Sequence, residues 1–216
     1  MNILITAGPT REYIDPVRFI SNDSSGRMGF ELAKAAEKAG LSVTLIAGPV
    51  DQKKPKGVKR IDVVSADEMF REVKKHHKTA NIIIMSAAVA DFRPARYSSR
   101  KIKKAISPSH HLTISLKKTP DILAWLGRNK MRGQIIMGFA LETNSLVRNA
   151  RSKLRKKNCD LIVANHARAI GNKKSSIVII DKFGGLKKLP RQDKSSAASI
   201  IIKNAVARSV GRLSLF

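Results

Sequence analysis

The sequence of 216 residues predicts a single α/β domain, a Rossmann-like, doubly wound and mostly parallel sheet spanning 1–216. Three observations predict it. Short aliphatic and β-branched runs alternate with segments of helical periodicity, the order of repeated β-α-β units. The runs at 2–7 and 81–86 are nearly unbroken in their apolar character, as strands buried on both faces must be. Turn residues, among them Gly40 and Gly48-Pro49, stand where one element should give way to the next.

The elements follow in order. Residues 2–7 read as a first strand, followed by a polar loop to about Ser24. A helix is expected over 29–39, where Phe30, Ala33 and Ala36 share a stripe and Gly40 supplies the stop. Strands are expected at 41–47 and 60–64, then a helix over 66–77 capped by Ser65, then the central strand 81–86. A polar stretch covers 91–111, and Leu112–Leu116 alternates like a strand. Further on, 120–127 suits a helix, 134–138 a strand, 142–157 a basic helix and 160–164 another strand. Phe183-Gly184-Gly185 marks a hairpin between 176–180 and 186–189, and a helix over 194–210 closes the chain. In such sheets ligands sit beyond the carboxyl ends of the strands, which singles out the loops after Ala7, Ser86 and Gly138.

Composition narrows the function classes. With 43% hydrophobic residues a packed core is available, and with 5% aromatics it must be aliphatic. No apolar run approaches about 18 residues, so no membrane span is expected. Residues 1–6 lack the charged, extended pattern of a signal peptide. One cysteine, Cys159, excludes an internal disulfide and a multi-cysteine metal site. These features point to the cytoplasm. The formal charge of +26 draws polyanions, yet the basic residues are scattered and no aromatic ladder accompanies them. Nucleic acid is therefore not the expected partner, and most of the charge reads as a solvated surface.

Read singly, the motifs are ambiguous. Ser21-Asn22-Asp23-Ser24-Ser25-Gly26 at a helix entrance suits an anion as well as it suits an ordinary cap. Ala87-Ala88-Val89-Ala90-Asp91 lets a flat ring approach the backbone, or simply packs tightly. Lys101, in Arg100-Lys101-Ile102-Lys103-Lys104, suits a phosphoryl group or a solvated loop. Phe139 is placed to stack on a base and Glu142 to cap a helix, while Lys153 and Lys157 share one helical face. Tyr97 and Lys101 have the spacing of short-chain dehydrogenases, but Pro94 and the missing glycine-rich turn argue against that chemistry. His76, His77, His110 and His111 read as surface residues without ligand spacing for zinc.

Taken together, the strings resemble the phosphopantothenoylcysteine synthetase family. Those that carry the resemblance are Gly8-Pro9-Thr10-Arg11-Glu12, Ile14-Asp15-Pro16-Val17-Arg18, Ile20-Ser21-Asn22, Ser24-Ser25-Gly26, Ala87–Phe92, Lys101–Lys104, Thr119–Leu123, Gly138-Phe139, Glu142-Thr143 and 153–160. They stand in the family's order over roughly residues 1–165 and thin out beyond Ala164. The resemblance implies a ligase of coenzyme A biosynthesis that joins 4′-phosphopantothenate to L-cysteine. Its co-substrate would be CTP with Mg²⁺, through an acyl-cytidylate, releasing CMP and pyrophosphate. It implies catalytic roles for Asn22 and Lys101. Nucleotide binding falls to Ala87, Asp91, Lys101, Pro120, Asp121, Ile122, Leu123, Phe139, Lys153 and Lys157. Ser24, Ser25 and Gly26 are weaker phosphate candidates, and Arg18 is a partner for the substrate phosphate or carboxylate. The resemblance also implies a homodimer, with Leu112–Leu116 as the pairing strand, and a decarboxylase on a separate chain. Asp23 departs from the histidine common in the family.

Overall fold

The computed structural model describes residues 1–103, 111–166 and 174–211. In chain order the elements begin with β1 (Asn2–Ala7), the short pair β2 (Arg11–Tyr13) and β3 (Phe19–Ser21), and α1 (Arg27–Lys38). Next come β4 (Ser42–Ala47), β5 (Lys59–Asp62), α2 (Ala66–His76), β6 (Ile82–Met85) and a second small pair, β7 (Phe92–Pro94) with β8 (Leu116–Lys118). The rest is α3 (Ile122–Arg128), β9 (Ile135–Glu142), α4 (Leu146–Lys156), β10 (Leu161–His166), β11 (Lys174–Asp181), β12 (Leu186–Asp193) and α5 (Lys194–Ser209).

Eight strands form one sheet in the order β12-β11-β10-β9-β6-β1-β4-β5. The stretch from β10 to β5 is parallel, whereas β11 and β12 extend it antiparallel. Numbered along the chain, the parallel strands run 3-2-1-4-5-6, the order of dinucleotide-binding sheets, so the expected doubly wound fold is present. Successive residues of a strand face opposite sides, which splits the core in two. Ile3, Ile5, Ile82, Ile84 and Met137 pack under α1 and α5. Leu4, Ile46, Ile83, Ile136 and Ile162 pack under α2, α3 and α4.

Helix entrances follow local chemistry. Ser65 Oγ accepts from the Glu68 amide at 3.2 Å, and Glu68 reaches back to the Val64 amide at 2.8 Å, so the expected cap of α2 is in place. Glu12, 4% exposed, accepts from the Ala66 amide at 2.8 Å, which sets a buried carboxylate on the positive end of α2. The Arg11 amide adds a bond to the Val64 carbonyl at 2.8 Å.

Several expectations are corrected. The loop from Gly8 to Ser24 contains the β2–β3 hairpin, whose three-residue strands are too short to leave a periodic signal. Leu112–Leu116 is not a strand: β8 begins at Leu116 and pairs with β7, which lies inside the expected polar stretch. Residues 104–110, including His110, lie outside the described residues. β9 does not stop at Gly138 but pairs with β10 as far as Glu142, so α4 starts at Leu146 rather than at Glu142. Gly138 is there for close approach instead of a turn, since a Cβ would stand 2.8 Å from both Ile162 Cδ1 and Leu123 Cδ2. His77 is buried rather than on the surface, edge-on to Trp125, with its Nδ1 2.7 Å from the Lys74 carbonyl. Tyr97 and Lys101 lie in a turn-rich segment with no helix to give them a common face.

Gly29 sets the distance between α1 and β1. A Cβ there would meet Ala7 Cβ at 2.4 Å and Ser86 Oγ at 2.8 Å. Gly29→Ala is expected to lower unfolding stability by about 1–3 kcal/mol, as overpacking does. Urea denaturation measures it, and an unchanged midpoint would mean that α1 moves away freely.

Candidate functional site

Strand order reverses between β1 and β6, so the chains leaving them diverge and open a crevice at the carboxyl edge. The loops that bound it are tied together by hydroxyl groups and amides. Thr6 Oγ1 accepts from the Ala87 amide at 3.2 Å, and Thr10 Oγ1 accepts from the Ala90 amide at 3.0 Å. Ser86 donates to the Thr6 carbonyl, and the Ala88 amide bonds the Gly8 carbonyl at 2.8 Å. Thr119 completes the frame by donating its hydroxyl to the Ala90 carbonyl and its amide to the Asp91 carbonyl.

Above β6 and β9 this frame encloses a cleft of about 370 Å³. Ala87, Asp91, Pro120, Asp121, Ile122, Leu123, Phe139, Lys153 and Lys157 all line it, so it gathers every expected nucleotide-binding position except Lys101. Met85, Val89, Phe92, Lys118 and Thr119 complete the wall, and residue type alone gave them no distinguishing signal. Asp121 caps α3 through the Ala124 amide at 2.9 Å and pairs with Lys157. Burial pushes the Asp121 carboxyl up, but the Lys157 ammonium and the Ala124 amide outweigh it and bring it below the usual value. Lys153 donates to the Phe139 carbonyl at 2.7 Å, and burial lowers its pKa against the opposing pull of nearby acidic groups. The cleft therefore presents Lys118, Lys153 and Lys157 around an aromatic and aliphatic floor. That combination suits a planar base carrying phosphates.

Asn22 sits on the neighbouring lip. Its side-chain amide donates to the Ala88 and Val89 carbonyls, both at 3.1 Å. Ser24 and Ser25 face a separate shallow hollow with Arg11 and Pro49–Gln52, and the Ser24 hydroxyl accepts from the Gly26 amide at 3.3 Å. Glu142 does not cap α4; its carboxylate accepts from Nδ2 of the Asn149 side chain at 2.8 Å. Cys159 is buried and free, with desolvation pushing its thiol up to about 12, which leaves it inert. Among the described residues no three His, Cys, Asp or Glu side chains converge as a metal site.

Lys101 is exposed and outside the cleft, but its segment is firmly positioned. The fully buried Asp15 accepts from the Val17 and Arg18 amides at 2.9 Å through one oxygen. Its other oxygen takes Arg18 Nε at 3.0 Å and the Ile102 amide at 3.2 Å. Arg18 also donates to the Ile102 carbonyl, so the guanidinium assigned from sequence to a substrate anion already bridges Asp15 and Ile102, with its side chain 41% exposed. Asp15 lies in the family-like string from Ile14 to Arg18, where its residue type marks no role. A lone buried carboxylate has no sequence signature.

Burial raises the Asp15 carboxyl, but the amides of Val17, Ile102 and Arg18 and the Arg18 guanidinium prevail and bring it from 3.8 to about 2. A carboxyl depressed on folding contributes stability that is complete above the unfolded value and is lost as pH falls through the folded one. The clamp should therefore hold at neutral pH and loosen between about pH 3.8 and 2. Asp15→Asn should remove that acid transition and speed hydrogen exchange at the Ile102 amide about tenfold or more, as losing a bond to a charged acceptor implies. Unchanged exchange in the variant would show that Asp15 does not fix this segment.

Known proteins share this fold. A coenzyme A biosynthesis bifunctional protein CoaBC from Borreliella burgdorferi is 45% identical over 202 residues, covering 93% of this chain and 51% of that protein. The protein of the same name from Escherichia coli K12 is 50% identical over 165 residues, covering 76% of this chain and 41% of its own length. The chain thus spans about half the length of the curated relatives it matches. A crystal structure of the C-terminal domain of a coenzyme A biosynthesis bifunctional protein CoaBC superposes with a TM-score of 0.81 at 38% identity, covering 94% of this chain and 92% of that one. The family model for the DNA/pantothenate metabolism flavoprotein C-terminal domain matches residues 1–208, and the chain belongs to that family.

Proposed function

We propose that the chain is a phosphopantothenate–cysteine ligase of coenzyme A biosynthesis. The observation that carries this is the single cleft beyond β6 and β9, into which Ala87, Asp91, Phe139, Lys153, Lys157 and the Pro120–Leu123 turn converge. Family membership supports the same reading.

CTP would seat its base against Phe139 and the backbone at Ala87, with Lys153 and Lys157 toward the phosphates. The carboxylate of 4′-phosphopantothenate then attacks the α-phosphorus, and the bond to the bridging oxygen breaks to release pyrophosphate. The amine of L-cysteine attacks the acyl carbon of the resulting acyl-cytidylate; CMP leaves with the bonding electrons, and the amine loses a proton. Both steps need positioning and charge stabilisation more than covalent help from the protein. Asn22, anchored on the Ala88 and Val89 carbonyls, is placed to orient the acyl-nucleotide for the second step. Lys101 neutralises charge in the first, carried on the segment that Asp15 and Arg18 hold. Because that lysine is exposed outside its own cleft, we assign its action to a homodimer in which the segment reaches the partner's cleft. Mg²⁺ would ride on the triphosphate beside Asp91, since Mg²⁺ is commonly held by substrate phosphates and one or two carboxylates rather than by a protein cage. No helix among the described residues is long and apolar enough to cross a membrane.

Incubation with 4′-phosphopantothenate, L-cysteine, CTP and Mg²⁺ should release pyrophosphate and CMP in equal amounts. Absence of both would sink the assignment. In single-turnover experiments Asn22→Asp should accumulate acyl-cytidylate and form amide at least about tenfold more slowly, a rise of roughly 1.4 kcal/mol or more in the second barrier. Lys101→Gln should fail before pyrophosphate appears. Equal loss at both steps in both variants would contradict this division of labour.

A further inference from the structure

Three lysines line the cleft, and two of their ammonium groups are already engaged. Lys153 donates to the Phe139 carbonyl at 2.7 Å, and Lys157 pairs with Asp121. Lys118 lines the same cleft and is exposed, and among the described residues its side chain makes neither a hydrogen bond nor an ion pair. The ligase chemistry assigned above gives it no part.

The ribbon that carries Lys118 sets its direction. β7 and β8 pair antiparallel, with Phe92 opposite Lys118 and Arg93 opposite Lys117. Opposed residues project from the same face of such a ribbon, and successive residues from opposite faces. Phe92 and Lys118 both line the cleft, whereas Lys117 and Arg93 belong to the other face, where Arg93 pairs with Asp67 of α2 at 2.5 Å. The backbone is tied down at the very next residue. The Thr119 amide donates to the Asp91 carbonyl at 3.0 Å, and the Thr119 hydroxyl donates to the Ala90 carbonyl at 2.5 Å. Lys118 is thus a flexible stem on a fixed root, on a different wall from the two lysines of the α4 terminus.

The base of a nucleotide gains by leaving water and takes the apolar floor at Phe139, Ile122 and Leu123. Its phosphates stay on the wet side of the cleft, where an exposed ammonium can follow them on its four-carbon stem. We propose that Lys118 grips the distal phosphates of the bound nucleoside triphosphate. This rests on the ligase reading of the cleft. Lys157 must leave Asp121 to contribute in the same way, exchanging one anion for another, whereas Lys118 gives up no protein partner. The contact is made to the part of the nucleotide that departs as pyrophosphate, so it favours the triphosphate over the monophosphate left behind.

Calorimetric titration of the full chain with CTP and with CMP, both in the presence of Mg²⁺, tests this without relying on turnover. Lys118→Met should bind CTP about tenfold more weakly and CMP within about twofold of the parent, as one lost charge-assisted contact implies. Lys118→Arg should recover most of the CTP affinity. Lys117→Met removes the same charge one residue away, from the other face of the ribbon, and should bind both nucleotides like the parent. Unchanged CTP affinity in Lys118→Met, an equal loss for CTP and CMP, or an equal loss in Lys117→Met would overturn the assignment. The ligase reading is judged separately, by release of pyrophosphate and CMP from the parent. Turnover by the parent, with CTP binding unchanged in Lys118→Met, removes only this role for Lys118. CTP binding that depends on Lys118 in a chain without turnover keeps the contact and removes the ligase. A parent with no measurable affinity for CTP overturns both.

Discussion

Where β1 and β6 separate, each strand runs out of sheet pairing while its backbone is still buried. An unpaired buried amide or carbonyl is costly, so the diverging loops must find partners of another kind. Thr6, Thr10 and Thr119 supply them: their hydroxyls take the Ala87 and Ala90 amides and the Ala90 carbonyl, while Pro9 and Ala88 keep a last bridge between the loops. Because these bonds fix the backbone from Ala87 to Asp91, Asn22 has a rigid pair of carbonyls to hold, and the cleft has a firm wall. Small side chains at Ala87, Ala88 and Ala90 follow from the same constraint, since the backbone itself must be reachable.

The parts that were legible in sequence are those with a strong local period. β1, β4, β6 and β10 announced themselves because strands buried on two faces are apolar throughout, and α2 because Ser65 and Glu68 form its entrance. The β2–β3 hairpin was silent because distant partners hold it: Glu12 on the start of α2 and Arg11 on Val64. Gly138 misled in the other direction. It has the look of a stop, but there it makes room for Leu123 and Ile162 within a continuing strand. The cleft residues were nameable only as a set, through the order of their motifs. Asp15 left no trace because what distinguishes it is burial and the identity of its neighbours.

The net charge of +26 says less about the site than its size suggests. Most lysines and arginines are exposed and carry exposed or absent partners, so salt screens them. The positions that differ are the few whose surroundings remove water. Lys153, desolvated against the Phe139 carbonyl, is the clearest of these. In a less polar setting a unit of charge acts more strongly on a neighbouring charge than it does in water.

Lys153 and Lys157 share a face of the α4 terminus yet are prepared differently. Lys153 is committed to a backbone carbonyl of the strand beneath it, a contact that also fixes the height of the Phe139 ring over the cleft floor. Lys157 rests on Asp121, whose other oxygen is already occupied by the α3 cap. With side chains 28% and 50% exposed, that ion pair is worth no more than about 1 kcal/mol. A polyphosphate arriving in the cleft offers Lys157 a more highly charged partner, so the ammonium can change partners while Asp121 keeps its amide bond and α3 keeps its cap. The arrangement holds one lysine as a fixed part of the floor. It leaves the other held only by an exposed ion pair, free to change partners.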